Sequence, residues 1–359
     1  MTGAAKLEFG LIGAGGIGAV RARALVKSKH CRLSACFDLD AQRARALPGE
    51  PQVFDDRRAF FDSDAYDAVV ICTPPDTHRE LAMEALARGK HVIVEKPMAE
   101  SLASCRAMID AAAAAKRVLT VGFNHRYFKG VDVLRRAVRD GTIGRLSWIR
   151  AFAGHTGLSE FKSPWMYDRA VMGGGTLMDN GVHVLDLVNH LMSDIREVSA
   201  VTRNDFWHLD VEDNAFVHIV DRDGVVCDLH STWTEWKGYA FFVEAYGDRG
   251  MAGAYYAPMR ARVTTVDSNG ARRSNRRNLF VADMFREKFF GWQSTVVDTF
   301  VAELGDFAAR VSGRAEPIVG ADARDGLMAC AVANAAYRSA ESGRPVEVAE
   351  LLGSAPPLT

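Results

Sequence analysis

The sequence predicts an α/β protein in which a doubly wound parallel sheet comes first and an α/β domain with an open, predominantly antiparallel sheet follows. Short β-branched runs alternate with helical stretches over roughly the first 120 residues, as expected for parallel strands joined by right-handed crossovers. From about residue 197 to residue 266, strands follow one another without helices between them, which is typical of an antiparallel or mixed sheet. We therefore place two domains at 1–123 and 124–359, with the late helices as candidates to pack back on the first domain.

Apolar runs and turn signals define the individual elements. In the first domain we expect strands at residues 7–12, 33–37, 68–72, 91–95 and 118–121, and helices at 17–28, 40–47, 77–88 and 101–115. In the second we expect helices at 131–140, 296–311 and 324–342, a helix that follows a glycine-rich segment and ends near residue 191, and a first strand at 146–152.

Composition and charge exclude several classes of protein. The 359 residues are 48% hydrophobic and 25% charged, as in an average globular protein. Forty-four Lys and Arg against 45 Asp and Glu give a net charge of -1, so there is no basic excess for nucleic acid or anionic membrane. Six cysteines lack CxxC spacing, which argues against zinc and disulfides. Residues 1–6 lack the apolar core of a signal peptide, and no apolar run is long enough to span a bilayer. We expect a cytoplasmic protein.

A glycine-rich turn joins the first strand to the first helix. GAGGIG at residues 13–18 places Gly13, Gly15 and Gly18 in a GxGxxG pattern, with Gly16 and Ile17 at the start of the helix. In such a turn the first glycine permits a tight bend, the second admits a pyrophosphate, and the third allows close helix packing. We therefore predict a Rossmann domain whose dinucleotide lies against these five residues.

An acidic residue at the end of the second strand indicates which dinucleotide is bound. Asp38 lies twenty residues after Gly18, where a carboxylate hydrogen-bonds the adenosine ribose. Asp38 and Asp40 put negative charge where the 2′-phosphate of NADP would lie, whereas Arg43 favours NADP. NAD is the cofactor we predict, with NADP as the alternative.

Two further turns follow strands of the parallel sheet, at the edge where such folds bind ligands. In TPPDTH at 73–78 we expect Thr73, Pro74 and His78 to contact the cofactor, while Thr77 caps the next helix. Glu95 and Lys96 end the next strand before Pro97. A lysine at this edge can hold a substrate oxygen by charge-assisted hydrogen bonds; a surface ion pair is the structural alternative.

The third constellation follows GGG at residues 173–175. If the segment is helical, Asp179 and His183 share one face, and Asp186 lies close enough to orient the imidazole. Histidine suits proton exchange with an alcohol because its ordinary pKa is near 6.5. A metal site at Asp179, His183 and His190 is disfavoured because no further ligand has the spacing to complete it, so we predict no metal.

Taken in this order, the motifs resemble those of the Gfo/Idh/MocA oxidoreductases, which are named for glucose-fructose oxidoreductase and inositol dehydrogenase. The resemblance rests on GAGGIG, TPPDTH, EKP at 95–97, GFNHRY at 122–127, and the GGG…D…H…D pattern at 173–186. It implies that Lys96, Asp179 and His183 are catalytic and that nicotinamide lies between the domains. It also implies that Glu95 and Lys96 contact the cofactor.

The same resemblance implies the surroundings of the substrate and the assembly. The residues that would line the substrate region are Arg126, Tyr127, Trp165, Asp168, Asp179 and His183. The exposed face of the second-domain sheet would form a homodimer or homotetramer interface.

The expected reaction is hydride transfer between nicotinamide and a secondary hydroxyl or keto carbon of a cyclitol, sugar or nucleotide-linked sugar. Two alternatives remain: an NAD-dependent glycoside hydrolase that oxidises its sugar transiently, and a regulator that binds nucleotide without turnover. Six arginines between residues 260 and 277 are candidates for a phosphate contact or a solvated hairpin. Trp207, Trp233, Trp236 and Tyr239 are candidates for sugar stacking or for burial in a sheet or interface.

Overall fold

The architecture is described from a computed structural model that covers residues 6–159, 163–267, 270, 273–314 and 319–352. Two parts of the sequence discussed above lie outside these ranges. They are residues 1–5, in the N-terminal segment where we expect no signal peptide, and Arg272 in the arginine-rich stretch. The chain divides into two compact units, Met1–Tyr127 with Phe285–Leu327 and Phe128–Met284 with Met328–Thr359. Within the ranges just given, no helix is both long and apolar enough to cross a membrane.

The first unit contains a six-stranded parallel sheet, which confirms the predicted doubly wound fold. Its strands are β1 (Leu7–Ile12), β2 (Cys31–Phe37), β3 (Gln52–Phe54), β4 (Ala68–Ile71), β5 (His91–Val94) and β6 (Leu119–Val121). They lie in the order β3-β2-β1-β4-β5-β6 with parallel neighbours throughout. The order reverses between β1 and β4, and ligands of doubly wound sheets bind at this switch point.

Helices cover the sheet of the first unit. They are α1 (Gly16–Lys27), α2 (Ala41–Arg45), α3 (Arg57–Phe61), α4 (His78–Ala87) and α5 (Leu102–Ala115). β3 and α3 were not predicted from the sequence, because three and five residues are too few to show a period. Asp56 begins α3 by accepting a hydrogen bond from the Ala59 amide at 2.7 Å.

The second unit contains a nine-stranded mixed sheet. Its strands are β7 (Leu146–Gly154), β8 (Ile195–Arg203), β9 (Asn214–Asp221), β10 (Val226–Thr232), β11 (Ala240–Gly247), β12 (Gly250–Tyr256), β13 (Arg260–Val266), β14 (Arg273–Leu279) and β15 (Val346–Glu347). They lie in the order β14-β13-β12-β11-β7-β10-β9-β8-β15. The sheet is predominantly antiparallel, as predicted, and β7 and β10 form a parallel pair within it.

The remaining helices follow β6 in the chain. They are α6 (Lys129–Arg139), α7 (Arg169–Met172), α8 (Val182–Leu191), α9 (Val281–Phe290), α10 (Gln293–Val311), α11 (Ala323–Ser342) and α12 (Val348–Leu352). In the second unit α6 packs on β12 and β13, and α8 packs on β7 and β11. In the first unit Phe300, Leu304 and Phe307 of α10 join the core around Phe9; the rings of Phe9 and Phe307 have centroids 5.5 Å apart.

Candidate active site

The glycine-rich turn after β1 has the geometry of a pyrophosphate cradle. Gly13 has a φ of 90°, and a Cβ there would lie 2.8 Å from the Cys72 carbonyl oxygen. A Cβ at Gly18 would lie 1.9 Å from the Gly13 carbonyl oxygen, so this position brings α1 against the turn. Gly15 and Gly16 instead face open space. Ile17 packs against the core. The two glycines that packing does not require are therefore those that leave room for a dinucleotide.

The Asp38 carboxylate is fixed beside this turn. Its Oδ2 accepts a hydrogen bond from the Ala14 amide at 2.5 Å, and its Oδ1 accepts one from the Asp40 amide at 2.7 Å. Arg43, the one residue that favoured NADP, forms an ion pair with Asp40 at 3.2 Å. The Asp38 carboxylate thus lies at the turn, and the nearby arginine pairs with an acid; contact of Asp38 with the adenosine ribose stays a prediction. These residues fit NAD.

The TPPDTH turn is held together from inside by its histidine. His78 is buried, with Nε2 2.8 Å from the Thr73 carbonyl oxygen and Nδ1 3.2 Å from the carbonyl oxygens of Pro97 and Met98. Burial lowers the pKa of His78. The hydroxyls of Thr73 and Thr77 lie 2.6 Å apart, and Pro74 contributes a carbonyl that accepts a hydrogen bond from the Thr77 hydroxyl. His78 therefore joins the loop after β4 to the loop after β5, and direct cofactor contact by Thr73, Pro74 and His78 stays a prediction.

Glu95 lies in a buried ionic network immediately before Lys96. Its Oε1 accepts a hydrogen bond from Arg21 Nε at 2.6 Å, and Arg21 Nη1 also pairs with Glu303 of α10. The Arg21 guanidinium carbon lies 3.6 Å from the centre of the Phe300 ring. This carboxylate therefore fixes the end of β5, and contact of Glu95 with the cofactor stays a prediction.

Lys96 begins a cis peptide to Pro97 and has a buried histidine as a neighbour. Burial, reinforced by the positive charge of Lys96, lowers the pKa of His125 to about 3. The imidazole is therefore neutral at physiological pH. No local pattern in the sequence places His125 beside a lysine that is 29 positions earlier.

Arg126 and Tyr127, which the resemblance assigns to the substrate region, contact α10 and the segment that leads into α11. Arg126 is buried, with Nη1 3.2 Å from Asp325 Oδ2 and 3.2 Å from the Val319 carbonyl oxygen. The Tyr127 hydroxyl donates to Asp306 Oδ2 at 2.9 Å. These interactions fasten residues 124–127 to the late helices, and substrate contact by either residue stays a prediction.

In the second unit, Asp179 lies in a π-helical turn. The predicted helix extends to Leu191, but its first five residues, Leu177–Gly181, are π-helical and continue into α8. Single π turns within helices are frequent at functional sites. His183 is in the first turn of α8 and Asp186 one turn later, and all three of these polar side chains are buried.

Two N–H donors converge on Asp179. Its Oδ2 accepts a hydrogen bond from the Trp233 indole at 3.2 Å and lies 3.1 Å from His155 Nε2. The Gly157 amide donates to His155 Nδ1 at 3.0 Å, so Nδ1 is the acceptor and Nε2 carries the proton that faces Asp179. His155 and Trp233 follow the ends of β7 and β10, the parallel pair, and the sequence analysis assigned neither of them to Asp179.

Trp165 and Asp168 lie in the segment that precedes this helix. Trp165 is half-buried in a short helical turn, Pro164–Tyr167. Asp168 is exposed and begins α7 by accepting a hydrogen bond from the Ala170 amide at 2.8 Å. Asp168 thus has a capping role, and contact of either residue with substrate stays a prediction.

At each of the three glycines before Asp179, the structure disfavours a side chain for a different reason. Gly173 ends α7 with a φ of 79°. A Cβ at Gly174 would lie 2.0 Å from the Tyr337 hydroxyl, and one at Gly175 would lie 2.1 Å from the Glu212 carbonyl oxygen. The segment is thus built for close packing around the start of the helix.

Glu212 caps the N-terminus of the helix that contains Asp179. Its carboxylate accepts hydrogen bonds from the amides of Gly175 and Leu177, both at 2.9 Å, and from the Tyr337 hydroxyl at 2.9 Å. Burial raises the pKa of Glu212. A carboxylate at a helix N-terminus is stabilising because it pairs with unsatisfied amides. Glu212 could not be found from local sequence patterns, because Glu212 lies 37 positions after Gly175.

Comparison with known proteins decides the family. A family model described as an oxidoreductase family with an NAD-binding Rossmann fold matches residues 7–123, and the GFO/IDH/MocA C-terminal domain matches residues 131–253. The chain belongs to the Gfo/Idh/MocA oxidoreductases. Its Rossmann domain binds NAD, and the cradle and Asp38 described above fit that cofactor.

Relatives in this oxidoreductase family cover nearly the full chain. Myo-inositol 2-dehydrogenase of Thermotoga maritima is 28% identical over 97% of this chain and 100% of its own length. Inositol 2-dehydrogenase of Rhizobium meliloti is 28% identical over 96% of this chain and 99% of its own. The crystal structure of an oxidoreductase domain protein from Kribbella flavida is 26% identical, covers 96% of this chain and 100% of its own, and has a TM-score of 0.84.

Two other candidates from the sequence remain, a metal site and a phosphate contact by the arginine-rich stretch. In the described part of the chain, no group of three His, Cys, Asp or Glu side chains is arranged to hold a metal ion. In the described part of the arginine-rich stretch, β13 and β14 pair antiparallel, and Arg262 donates to Thr264 and Asn275.

Proposed function

We propose that this oxidoreductase is an NAD-dependent dehydrogenase that oxidises one secondary hydroxyl of a cyclic polyol, a cyclitol or a sugar, to a ketone. The names of the full-length relatives, both inositol 2-dehydrogenases, support this substrate class. Asp38 and the Asp40–Arg43 ion pair support NAD rather than NADP.

In this proposal Lys96, His183 and Asp179 form the catalytic group. His183 removes the hydroxyl proton as general base, and in the reductive direction it returns that proton. Lys96 hydrogen-bonds the same oxygen, and its charge stabilises the developing alkoxide. When NAD is bound at the cradle, its nicotinamide would supply the acceptor for the hydride that leaves the carbon.

The observation that carries the proposal is the fixed carboxylate of Asp179. Two N–H groups, from His155 and Trp233, contact this carboxylate and hold its orientation. A buried carboxylate one helical turn before His183 is placed to accept a hydrogen bond from a substrate hydroxyl or to orient the imidazole.

The test is a panel of cyclitols, free sugars, nucleotide-linked sugars and glycosides, assayed for NADH and NADPH formation with mass spectrometry of the products. The proposal predicts NADH formation together with a ketone two mass units lighter than a cyclitol or sugar. Release of free sugar from a glycoside without net NADH would contradict it in favour of the hydrolase alternative. Nucleotide binding without turnover of any polyol would contradict it in favour of the regulator.

The open face of the nine-stranded sheet supports a homo-oligomer. A groove of about 710 Å³ on this face is lined by residues of β7 to β11 and by residues 343–345. Phe216 and Trp148 are large apolar side chains exposed on the sheet, and exposed apolar patches of this kind mark interfaces. A homodimer or homotetramer through this face predicts that Phe216→Asp lowers the mass measured by light scattering; an unchanged mass would contradict it.

The six buried cysteine thiols suit the reducing cytoplasm, which cell fractionation checks.

A further inference from the structure

Three aromatic side chains cluster on two loops of the second unit. Phe206 and Trp207 lie between β8 and β9, and Trp236 lies between β10 and β11. The centroids of the Phe206 and Trp236 rings are 4.7 Å apart, and those of Phe206 and Trp207 are 5.2 Å apart. Phe206 is 52% exposed and Trp236 is 57% exposed. We call these three side chains the aromatic platform.

Buried groups hold the aromatic platform in place. The fully buried Asp213 accepts hydrogen bonds from the amides of Phe206 and Trp207 at 2.8 and 2.9 Å. The Trp207 indole donates to the Trp233 carbonyl oxygen at 2.9 Å. A surface fixed in this way loses little conformational entropy when a ligand covers it.

The platform is linked to the candidate active site through the hydrogen bonds of Trp233. Trp233 accepts the hydrogen bond of Trp207 through its carbonyl and donates to Asp179 through its indole. One residue therefore joins the platform to the carboxylate that the proposed function assigns to the substrate. Of the four aromatic residues that the sequence offered for stacking, Trp233 is fully buried and has this connecting role, whereas Trp236 presents an exposed ring.

Charge and ring geometry indicate what covers the platform. The two loops carry Asp205, Asp210 and Glu235 outside the core, against Lys237. Asp205 pairs with Arg203 at 2.9 Å, and Arg169 donates to the Asp210 carbonyl oxygen, so the loops carry no net positive charge that would attract a diphosphate. The Phe206 and Trp236 rings meet at 59° and do not form a parallel slot for a flat base. A pyranose ring offers apolar C–H faces to aromatic rings and hydroxyls to carboxylates, the combination that mixed apolar and polar sites recognise.

We propose that the aromatic platform binds a second sugar ring of a glycoside or disaccharide whose first ring is oxidised at Asp179 and His183. The inference rests on the proposed function, because it extends the same site. It favours glycosides over nucleotide-linked sugars as substrates.

Calorimetric binding of glucose, maltose and cellobiose to the NADH-bound full chain tests this inference without requiring turnover. At least one disaccharide is expected to bind about tenfold tighter than glucose, and Trp236→Ala is expected to abolish that difference while Trp236→Phe retains most of it. Trp292→Ala is the matched control, because Trp292 is also 57% exposed but begins α10 in the other unit.

Equal affinities for glucose and both disaccharides, or an advantage that survives in Trp236→Ala, would overturn the inference. A changed oligomeric state in Trp236→Ala would also overturn it, because the platform would then be a contact with a second copy. Failure of the proposed function has a different signature, the absence of NADH formation with every polyol in the panel.

Discussion

Arg21 donates from Nε to Oε1 of Glu95 over 2.6 Å, one residue before Lys96. Its Nη1 also pairs with Glu303, so one guanidinium lies between two buried carboxylates. The interaction joins α1, which starts at the dinucleotide cradle, to the end of β5 and to α10. Because two acids share one arginine in a dry interior, one acid is held near its neutral form.

The first prediction concerns stability against pH. Burial raises the pKa of Glu303 to about 7, although the charge of Arg21 opposes the shift. Since this pKa lies above that of an unfolded glutamic acid, the stabilising contribution is complete below about pH 4.5 and is lost as the pH rises through about 7. Between about pH 4.5 and 7 the unfolding free energy of the wild type should therefore fall by about 1–3 kcal/mol more than that of Glu303→Gln, which has no carboxyl group at this position to titrate.

Urea unfolding of the wild type and Glu303→Gln across this pH range checks the prediction. Asp298→Asn is a suitable control, because Asp298 is on the same helix but pairs with the partly exposed Lys27 and Arg286. Parallel pH profiles for the wild type and Glu303→Gln would show that Glu303 does not titrate as inferred.

Two glycines of the cradle should respond differently to alanine. Gly18→Ala should lower the free energy of unfolding by about 1–3 kcal/mol, because its Cβ would collide with the Gly13 carbonyl. Gly15→Ala meets no protein atom, so its stability should be unchanged while NAD binds more weakly. Thermal unfolding and NAD titration of both variants separate the two effects, and equal unfolding losses would refute the division of roles.

Much of the first unit could be predicted from the sequence because its signals are local. GAGGIG, Asp38 and the alternation of strands and helices depend on spacing along the chain, and the parallel sheet followed from them. The short elements β3 and α3 gave no periodic signal. The π turn at Leu177–Gly181 also escaped prediction, because a pattern of apolar residues does not distinguish it from an α turn.

The partners of the candidate catalytic residues could not be predicted, because the fold brings them from distant strands. His155 and Trp233 reach Asp179 from the ends of β7 and β10. Glu212 reaches Gly175 from the segment before β9. Their residue types are ordinary in these positions, and only the strand order places them beside a helix start.

A third prediction tests the positioning of Asp179. His155→Ala removes one donor to the carboxylate, and a hydrogen bond to a charged group contributes about 1.5–3 kcal/mol, so kcat should fall about tenfold to a hundredfold. His155→Gln retains an N–H donor and should recover part of the loss. Steady-state kinetics on the best polyol checks both; equal kcat values for His155→Ala and the wild type would show that Asp179 needs no such support.

The cofactor preference gives a fourth prediction. Asp38→Ala removes the acid that is fixed beside Ala14, so kcat/KM with NAD should fall about tenfold while kcat/KM with NADP rises or stays constant. Arg43→Ala is the control and should change neither value by much, because Arg43 is paired with Asp40. An equal decline for both cofactors would contradict the ribose role of Asp38.

The most direct test of the proposed chemistry is kcat together with the Kd for NAD in Lys96→Met and His183→Gln. If these side chains act on the substrate oxygen, each variant should lose about a hundredfold to ten thousandfold in kcat while the loss in NAD affinity is much smaller. Circular dichroism confirms that the variants are folded. Full turnover in both folded variants would contradict the assignment of the proton to His183 and of the oxygen to Lys96.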